Sequence, residues 1–456
     1  MDLRNKRLNT LNGVLNAVST DLVAPFLVIF ALKLGANSFQ TAMLSSGPAI
    51  AGLVVLIPGA RWVDRQRNKK RITAGLMAAN RVFYLLMVVV PFVLPAAQAA
   101  FFVLLVTIMN APGAVANAAW QGYMAKIFTA DQRAEAFAAR NRAMNLFGTI
   151  TVLAAGALLD LIGATWGYQL MFFGAFLVAV AEVKVFTDLH EPLADPGVPA
   201  VPAPPAEEAA VQPELPAALD RVNVPAPAEA APLLPLVFKL RRKLREIASN
   251  RTFVRYTLAS ILFYFGWQTP WTLFSLYQVK ELHANNFVLG ILTLLNTGGN
   301  LFGYKFWVGQ IEKKGNLHVQ WLSALTLVAV PFTYSFTNFL PRVPIFGVDL
   351  SLYVIGSLNI FVGAALSGLI LALFNSLLEA TPEKNRTSYI AYYNTTITLT
   401  AVIAPLWGVF VYELWGYQVA FLICGAQRIL GVGALGFLWW AAEGRRRGGP
   451  PPRSEA

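Results

Sequence analysis

Long apolar runs recur along nearly the whole chain, and they constrain its fold more than any other feature. Twelve stretches of roughly 20 mainly apolar residues, the length a helix needs to cross a bilayer, fall at 11–33, 39–60, 72–94, 99–125, 135–160, 167–186, 252–279, 287–308, 318–340, 351–378, 388–412 and 417–441. A membrane strand needs only about ten alternating residues, so segment length selects helices over strands. Of the 456 residues 56% are hydrophobic and 13% are charged, about half the charge of an ordinary soluble chain. The sequence therefore predicts an all-α polytopic membrane protein with twelve transmembrane helices. The basic start MDLRNKRLNTLNGVL precedes an apolar run too long for a removable leader, and it reads as the entry to a retained first span.

Lysine and arginine outnumber aspartate and glutamate by 36 to 24, a formal net charge of +12. The basic residues lie in short clusters between apolar runs, not along one domain, which argues against nucleic acid and for membrane topology. If both termini are cytosolic, the inner segments carry Arg4, Lys6 and Arg7, the cluster GARWVDRQRNKKR (59–71), Lys126 with Arg133, Lys313 with Lys314, Lys384 with Arg386, and the tail GRRRGG. The outer ends then hold only Lys33, Lys280 and Arg342. This asymmetry predicts a multi-pass protein of the plasma (inner) membrane with both termini in the cytosol.

Composition changes sharply between spans 6 and 7. Residues 191–235 hold 12 of the 27 prolines and read as a flexible cytosolic linker. In LVFKLRRKLREIASN (236–250), Leu236, Leu240, Leu244 and Ile247 recur at helical spacing opposite Lys239, Arg242, Lys243 and Arg245. That pattern predicts an amphipathic helix on anionic lipid of the inner leaflet, with a solvated linker helix as the plainer alternative. The domains are thus an N-terminal six-helix bundle (1–190), the linker (191–235), the basic helix (236–250), a C-terminal six-helix bundle (251–441) and a basic cytosolic tail (442–456).

The two six-span halves echo one another in order. DLIGATWGYQLMFF (160–173) matches ELWGYQVAFLIC (413–424), RAEAFAARN (133–141) matches RTSYIAYYN (386–394), and RWVDRQRNKK (61–70) matches FWVGQIEKKG (306–315). Three echoes in the same order, at offsets of about 250 residues, imply pseudo-symmetric bundles related by an axis along the membrane normal. Twelve spans, a 6+6 repeat, a long central loop and an acid within a basic loop after span 2 together resemble the major facilitator superfamily. Its loop signature is roughly G-x-L-x-D-R-x-G-R-R/K. Here Asp64, Arg65, Arg67, Lys69 and Lys70 keep the Asp-Arg pair and the basic tail. Ala60 departs at the first glycine, and Arg67 or Asn68 departs at the second. The resemblance implies secondary transport by alternating access and leaves the substrate open. Span 4 lacks the arginine, and span 5 the Gly-Pro pair, of similar drug–proton antiporters.

Charges at mid-bilayer are costly and usually functional. Asp21 lies about ten residues into span 1, roughly 15 Å deep, and Arg81 lies at similar depth in span 3. Two readings stand: an intrabundle salt bridge between them, or a coupling proton on Asp21. Arg428, midway along span 12, has no acid at its depth in its own half and reads as bonded to backbone carbonyls or snorkelling. In the resembling family, helices 1, 4, 7 and 10 line the cavity. The polar residues expected there are Asn16 and Asp21, then Asn110, Asn117 and Gln121, then Tyr264, Gln268 and Trp271, then Asn359, with Asn296 and Asn394 from spans 8 and 11. Bonds between helices are the structural alternative for each of them. Together the stripes suit a small neutral or zwitterionic organic solute.

Enzyme chemistry finds no support. The chain has no P-loop, and its three histidines, His190, His283 and His318, lie at loops or span ends. The lone Cys424 completes no metal spacing, so no cofactor or metal is expected. The function expected is secondary transport of a small organic solute, coupled to protons through Asp21. The alternatives are an uncoupled facilitator, or a transporter-like receptor or assembly protein that docks through the Pro-rich linker. Deleting residues 195–232 separates a transporter, which keeps its flux, from a docking protein, which loses its partner.

The resemblance also implies a cytosolic gate of Asp64, Arg65, Arg133 and Arg386, in which Asp64 meets the start of helix 11, where free N–H groups favour an anion. In the matching second loop Gly309 replaces the acid, and Glu312 is its nearest carboxylate. The gate is therefore one-sided: in a vesicle uptake assay Asp64→Asn cripples transport and Glu312→Gln does not. Equal effects from the two substitutions contradict it.

Overall fold

A computed structural model describes residues 3–66, 68–93, 97–128, 130–190, 247, 249–382 and 386–448. The linker 191–235, nearly all of the basic helix 236–250 and the end of the tail lie outside the described residues. The described chain is helical apart from one short β-hairpin, β1 (Pro344–Ile345) against β2 (Val348–Asp349). The first half holds α1 (Leu3–Lys33), α2 (Ser38–Asp64), α3 (Lys69–Phe92), α4 (Gln98–Ile127), α5 (Ala130–Ile162) and α6 (Trp166–Thr187). The second holds α7 (251–281), α8 (Asn286–Lys314), α9 (Asn316–Thr337) and α10 (Leu350–Ala380). The helical run Arg386–Gly448 is jointed at Gly416 (φ 75°) into α11 (386–415) and α12 (417–448). These are the twelve spans expected, in two six-helix bundles. The face where α1 begins and α12 ends is termed proximal, and the opposite face distal.

Proline shapes the first helix of each half. Pro25 has no N–H for the Asp21 carbonyl, and α1 breaks after Asp21 into a 3-10 turn, Ala24–Phe26, before resuming at Leu27. Pro270 likewise cannot reach the Gly266 carbonyl, and α7 stops at Gln268 and restarts at Trp271. Both helices then end in matching turns, GANSF (35–39) and HANNF (283–287), with Gly35 at φ 83° and His283 at φ 50°. Asn37 and Asn285 follow as N-caps, accepting from the backbone N–H of Gln40 and Val288 at 2.8 Å each.

Each bundle packs an aromatic core. Phe30 of α1 meets Phe102, Tyr168 and Phe172 at centroid separations of 5.0–5.3 Å. In the second half Tyr277 and Phe274 gather round Phe421 and Tyr334. The bundles meet along α2 with α11 and α5 with α8. A Cβ at Gly156 on α5 would come within 2.7 Å of the Asn286 carbonyl oxygen, so glycine sets how closely α5 approaches α8.

Arg428 of α12 is 3% exposed, and its guanidinium satisfies backbone carbonyls, as the lack of a matching acid suggested. Nε donates to Gly266 O at 3.2 Å, Nη2 to Trp267 O at 3.3 Å and Nη1 to Leu327 O at 2.6 Å. Gly266 and Leu327 each lie four residues before a proline, Pro270 and Pro331. Both carbonyls have therefore lost their helical donor. One buried arginine thus repairs two proline defects and ties α7, α9 and α12 together. Arg428→Met leaves both carbonyls without a donor and is expected to cost about 2–4 kcal/mol of stability. Thermal unfolding in detergent checks this, and an unchanged transition contradicts the repair.

Candidate functional site

The N-terminal bundle holds a buried charged cluster. Glu182 of α6 is 0% exposed, and its carboxylate accepts from Arg81 Nε at 3.0 Å and Nη2 at 3.2 Å. Asn16 Nδ2 of α1 donates to it at 3.0 Å, and the Ser19 hydroxyl at 3.5 Å. Asn12 Nδ2 donates to the Glu182 carbonyl, and Arg81 Nη1 to the Tyr84 hydroxyl at 2.6 Å. A paired, fully hydrogen-bonded arrangement is what makes two buried charges tolerable. The expected pairing of Arg81 with Asp21 is thereby corrected. Arg81 is taken by Glu182, a carboxylate that sits near a helix end beside Lys184 and so resembles an interfacial charge in sequence.

Asp21 lies elsewhere, at the last residue before the α1 break. It is half-buried on the seam with α5, with Oδ2 only 2.2 Å from where a Cβ on Gly148 would stand. A side chain at Gly148 would displace this carboxylate from α5.

The expected cavity residues divide into two groups. Asn16 serves Glu182. Asn110 Nδ2 donates to Val106 O of its own helix at 2.7 Å. Asn296 Nδ2 reaches Asn359 O at 3.4 Å, while Asn359 Nδ2 donates to Ile355 O, both in the tight α8–α10 seam. Gln268, 3% exposed, accepts from the Thr400 hydroxyl at 2.8 Å, and Asn394 is buried. Asn117 is exposed, whereas Gln121, Tyr264 and Trp271 are half-buried. Trp267, which the polar pattern missed, joins Tyr264 and Trp271 into an aromatic stripe with centroids 5.5 and 5.7 Å apart. Stacking and hydrogen bonding are the chemistry these accessible groups offer.

At the distal face the two bundles are joined through α5 and α8. Asp160, near the end of α5, accepts from Asn286 N at 3.1 Å, Asn286 Nδ2 at 2.7 Å and Phe287 N at 2.7 Å. These backbone groups belong to the first turn of α8, where unpaired N–H donors and the positive end of the helix dipole favour an anion. Tyr168 of α6 donates to Asn286 Oδ1 at 2.8 Å, and Thr272 of α7 meets Ser45 of α2 at 3.3 Å. Of the expected gate at the proximal face, Arg65 is exposed, while the side chains of Asp64, Arg133 and Arg386 lie outside the described residues. Asp160 was missed because an acid at a span end reads as interfacial. Its place in the DLIGATWGYQ echo was the available signal.

Comparison with known proteins accords with this geometry. The family model described as Major Facilitator Superfamily matches residues 10–362 and 257–456. No curated protein matches the sequence significantly. Among solved structures, a bacterial homologue of the iron transporter ferroportin, in an inward-facing state, aligns with TM-score 0.67 at 11% identity, covering 96% of this chain and 99% of that one. The nucleoside transporter NupG, as a mutant, aligns at 0.64 and 12%, covering 94% and 99%. A D-xylose–proton symporter aligns at 0.63 and 14%, covering 96% and 97%. Such identities establish a shared fold. With the family match spanning the chain, the twelve helices in two bundles identify it as a member of the Major Facilitator Superfamily, a family of transporters of small-molecule solutes and not of enzymes.

Proposed function

We propose that this chain is a proton-coupled secondary transporter that moves a small organic solute by rocking its two bundles about a site near the midplane. The observation that best supports this reading is the Asp160 cap on α8, a polar latch between the halves at the distal face. Taking the positive-inside pattern as the guide, the proximal face with both termini lies in the cytosol and the distal face outside the plasma membrane. The latched form then holds the outer side shut. In the opposite form Asp64 takes the equivalent role at the start of α11, so each closed state is held by a carboxylate of the N-terminal half on a helix N-terminus of the C-terminal half. The solute is held by the accessible polar and aromatic groups Asn117, Gln121, Tyr264, Trp267 and Trp271.

Asp160→Asn keeps an acceptor for the α8 N–H groups but removes the charge. A charge–dipole contact in a partly buried setting is worth up to about 2 kcal/mol. The population open to the outside is therefore expected to rise by up to about thirtyfold. Reaction of a membrane-impermeant thiol reagent with a cysteine introduced at Trp271 reads this out. Unchanged labelling contradicts the latch.

Proton coupling is assigned to Asp21. Arg81 is held by Glu182, which removes the Arg81 pairing from the readings of Asp21. Its carboxylate rests on α5, the helix that carries Asp160 twelve residues further on, about 18 Å away. A proton on Asp21 therefore acts on the helix that latches the outer side. In reconstituted vesicles, wild-type accumulation follows an imposed proton gradient, whereas Asp21→Asn loses accumulation and keeps solute exchange. Wild-type transport that ignores pH and gradient collapse leaves the uncoupled facilitator as the correct reading.

A further inference from the structure

The segment WGYQ occurs twice, at 166–169 where α6 begins and at 415–418 where α11 turns into α12. In the first copy Tyr168 is 0% exposed. Its ring meets two residues of α1 beyond the Pro25 break, on the segment Leu27–Lys33. The Phe30 ring lies 5.3 Å away between centroids, and Lys33 Nζ stands 5.1 Å from the Tyr168 centroid. The Tyr168 hydroxyl donates across the bundles to Asn286 Oδ1 at 2.8 Å. The Asn286 carboxamide is thereby held in one sense, with Oδ1 towards Tyr168 and Nδ2 donating to Asp160 at 2.7 Å. Turned over, it would set Oδ1 against the Asp160 carboxylate, acceptor against acceptor. Asp160 would then keep two backbone donors instead of three donors in all.

The second copy is built differently. Tyr417 packs on Tyr277 of α7 with centroids 5.2 Å apart, and among the described residues it makes no hydrogen bond to the first half. In the turn GANSF the residue matching Asn286 is Ser38, which has no carboxamide to orient. The repeated motif therefore serves packing in the second copy and carries an added polar link in the first.

We propose that Tyr168 is the positioning residue of the distal latch. It holds the Asn286 carboxamide in the sense that Asp160 needs, and it makes the cap on α8 depend on where the distal segment of α1 lies. The inference rests on the reading of Asp160 as a latch and names how that latch is controlled. Tyr168 acts through Asn286 and touches no solute. Lys33, exposed at the distal face, steadies the ring through its charge over the aromatic face. A shift of Leu27–Lys33 against α6 carries the ring with it, withdraws the hydroxyl from Asn286 and weakens the cap. The distal end of α1 and the start of α8, in different bundles, then respond together.

Amide hydrogen exchange at Asn286 and Phe287, with the full chain in nanodiscs, reads the cap directly. Tyr168→Phe keeps the ring and removes the hydroxyl, so exchange at these two amides is expected to rise about tenfold, the scale of one buried hydrogen bond. Lys33→Met should raise it by a smaller factor. Gln169→Leu, which loses a bond to Val88 O inside the first bundle, should leave it unchanged. On an Asp160→Asn background Tyr168→Phe should add less than about twofold, because both substitutions act on one cap. Unchanged exchange in Tyr168→Phe, an equal rise in Gln169→Leu, or a full tenfold rise on the Asp160→Asn background overturns the positioning role. If Asp160→Asn raises exchange yet leaves labelling of the cysteine introduced at Trp271 unchanged, the latch reading fails while Tyr168 keeps its role at the cap.

Discussion

In a bilayer no water reaches the helix interior, so every backbone group that a helix end or a proline leaves unpaired must find a partner within the protein. Three features of this chain answer that demand. Arg428 fills the carbonyls freed by Pro270 and Pro331. Asn37 and Asn285 cap the helices that follow the first turn of each half. Asp160 takes the remaining donors at the start of α8. The first two act within one bundle and are permanent. The third acts between bundles, at the contact that the proposed rocking motion would break.

The halves share a frame but not its chemistry. At α8 the acid comes from the partner bundle, whereas at α2 Gln40 completes a capping box with Asn37 in its own chain segment. Glu413, which opens the echoing segment ELWGYQ, is exposed. Buried charge is unequal as well: Arg81 and Glu182 form a pair in the first half, whereas Arg428 in the second is satisfied by carbonyls. The membrane-embedded carboxylates Asp21 and Glu182 therefore belong to the first half, and the aromatic stripe Tyr264–Trp267–Trp271 to the second. Such a division suits a carrier in which one half responds to protons and the other grips the solute.

Much of the fold was legible because length and charge bias act over whole segments. The joint at Gly416 falls between the expected spans 388–412 and 417–441, and Arg428 was readable because no acid matched its depth. What periodicity could not give was the neighbour each polar face would meet. Asn296 and Asn359 lie on polar stripes, yet the glycine-lined α8–α10 seam draws them together and away from open space. Glu182 and Asp160 were hidden for one reason: both sit near span ends, where charge is cheap and draws no notice. Depth decides the cost of a charge, and only three-dimensional packing shows that one is buried and the other bridges two bundles.

The most direct test of the exchangeable latch is a pair of distance distributions from double electron–electron resonance in nanodiscs. One spin-label pair would join the distal ends of α5 and α7, for example Leu161 with Lys280, and a second pair would join α2 and α11 at the proximal face. The account predicts two anticorrelated populations: a short distal distance with a long proximal one, and the reverse, with solute and pH shifting weight between them. A single distal distance, indifferent to solute and pH while transport proceeds, would contradict it.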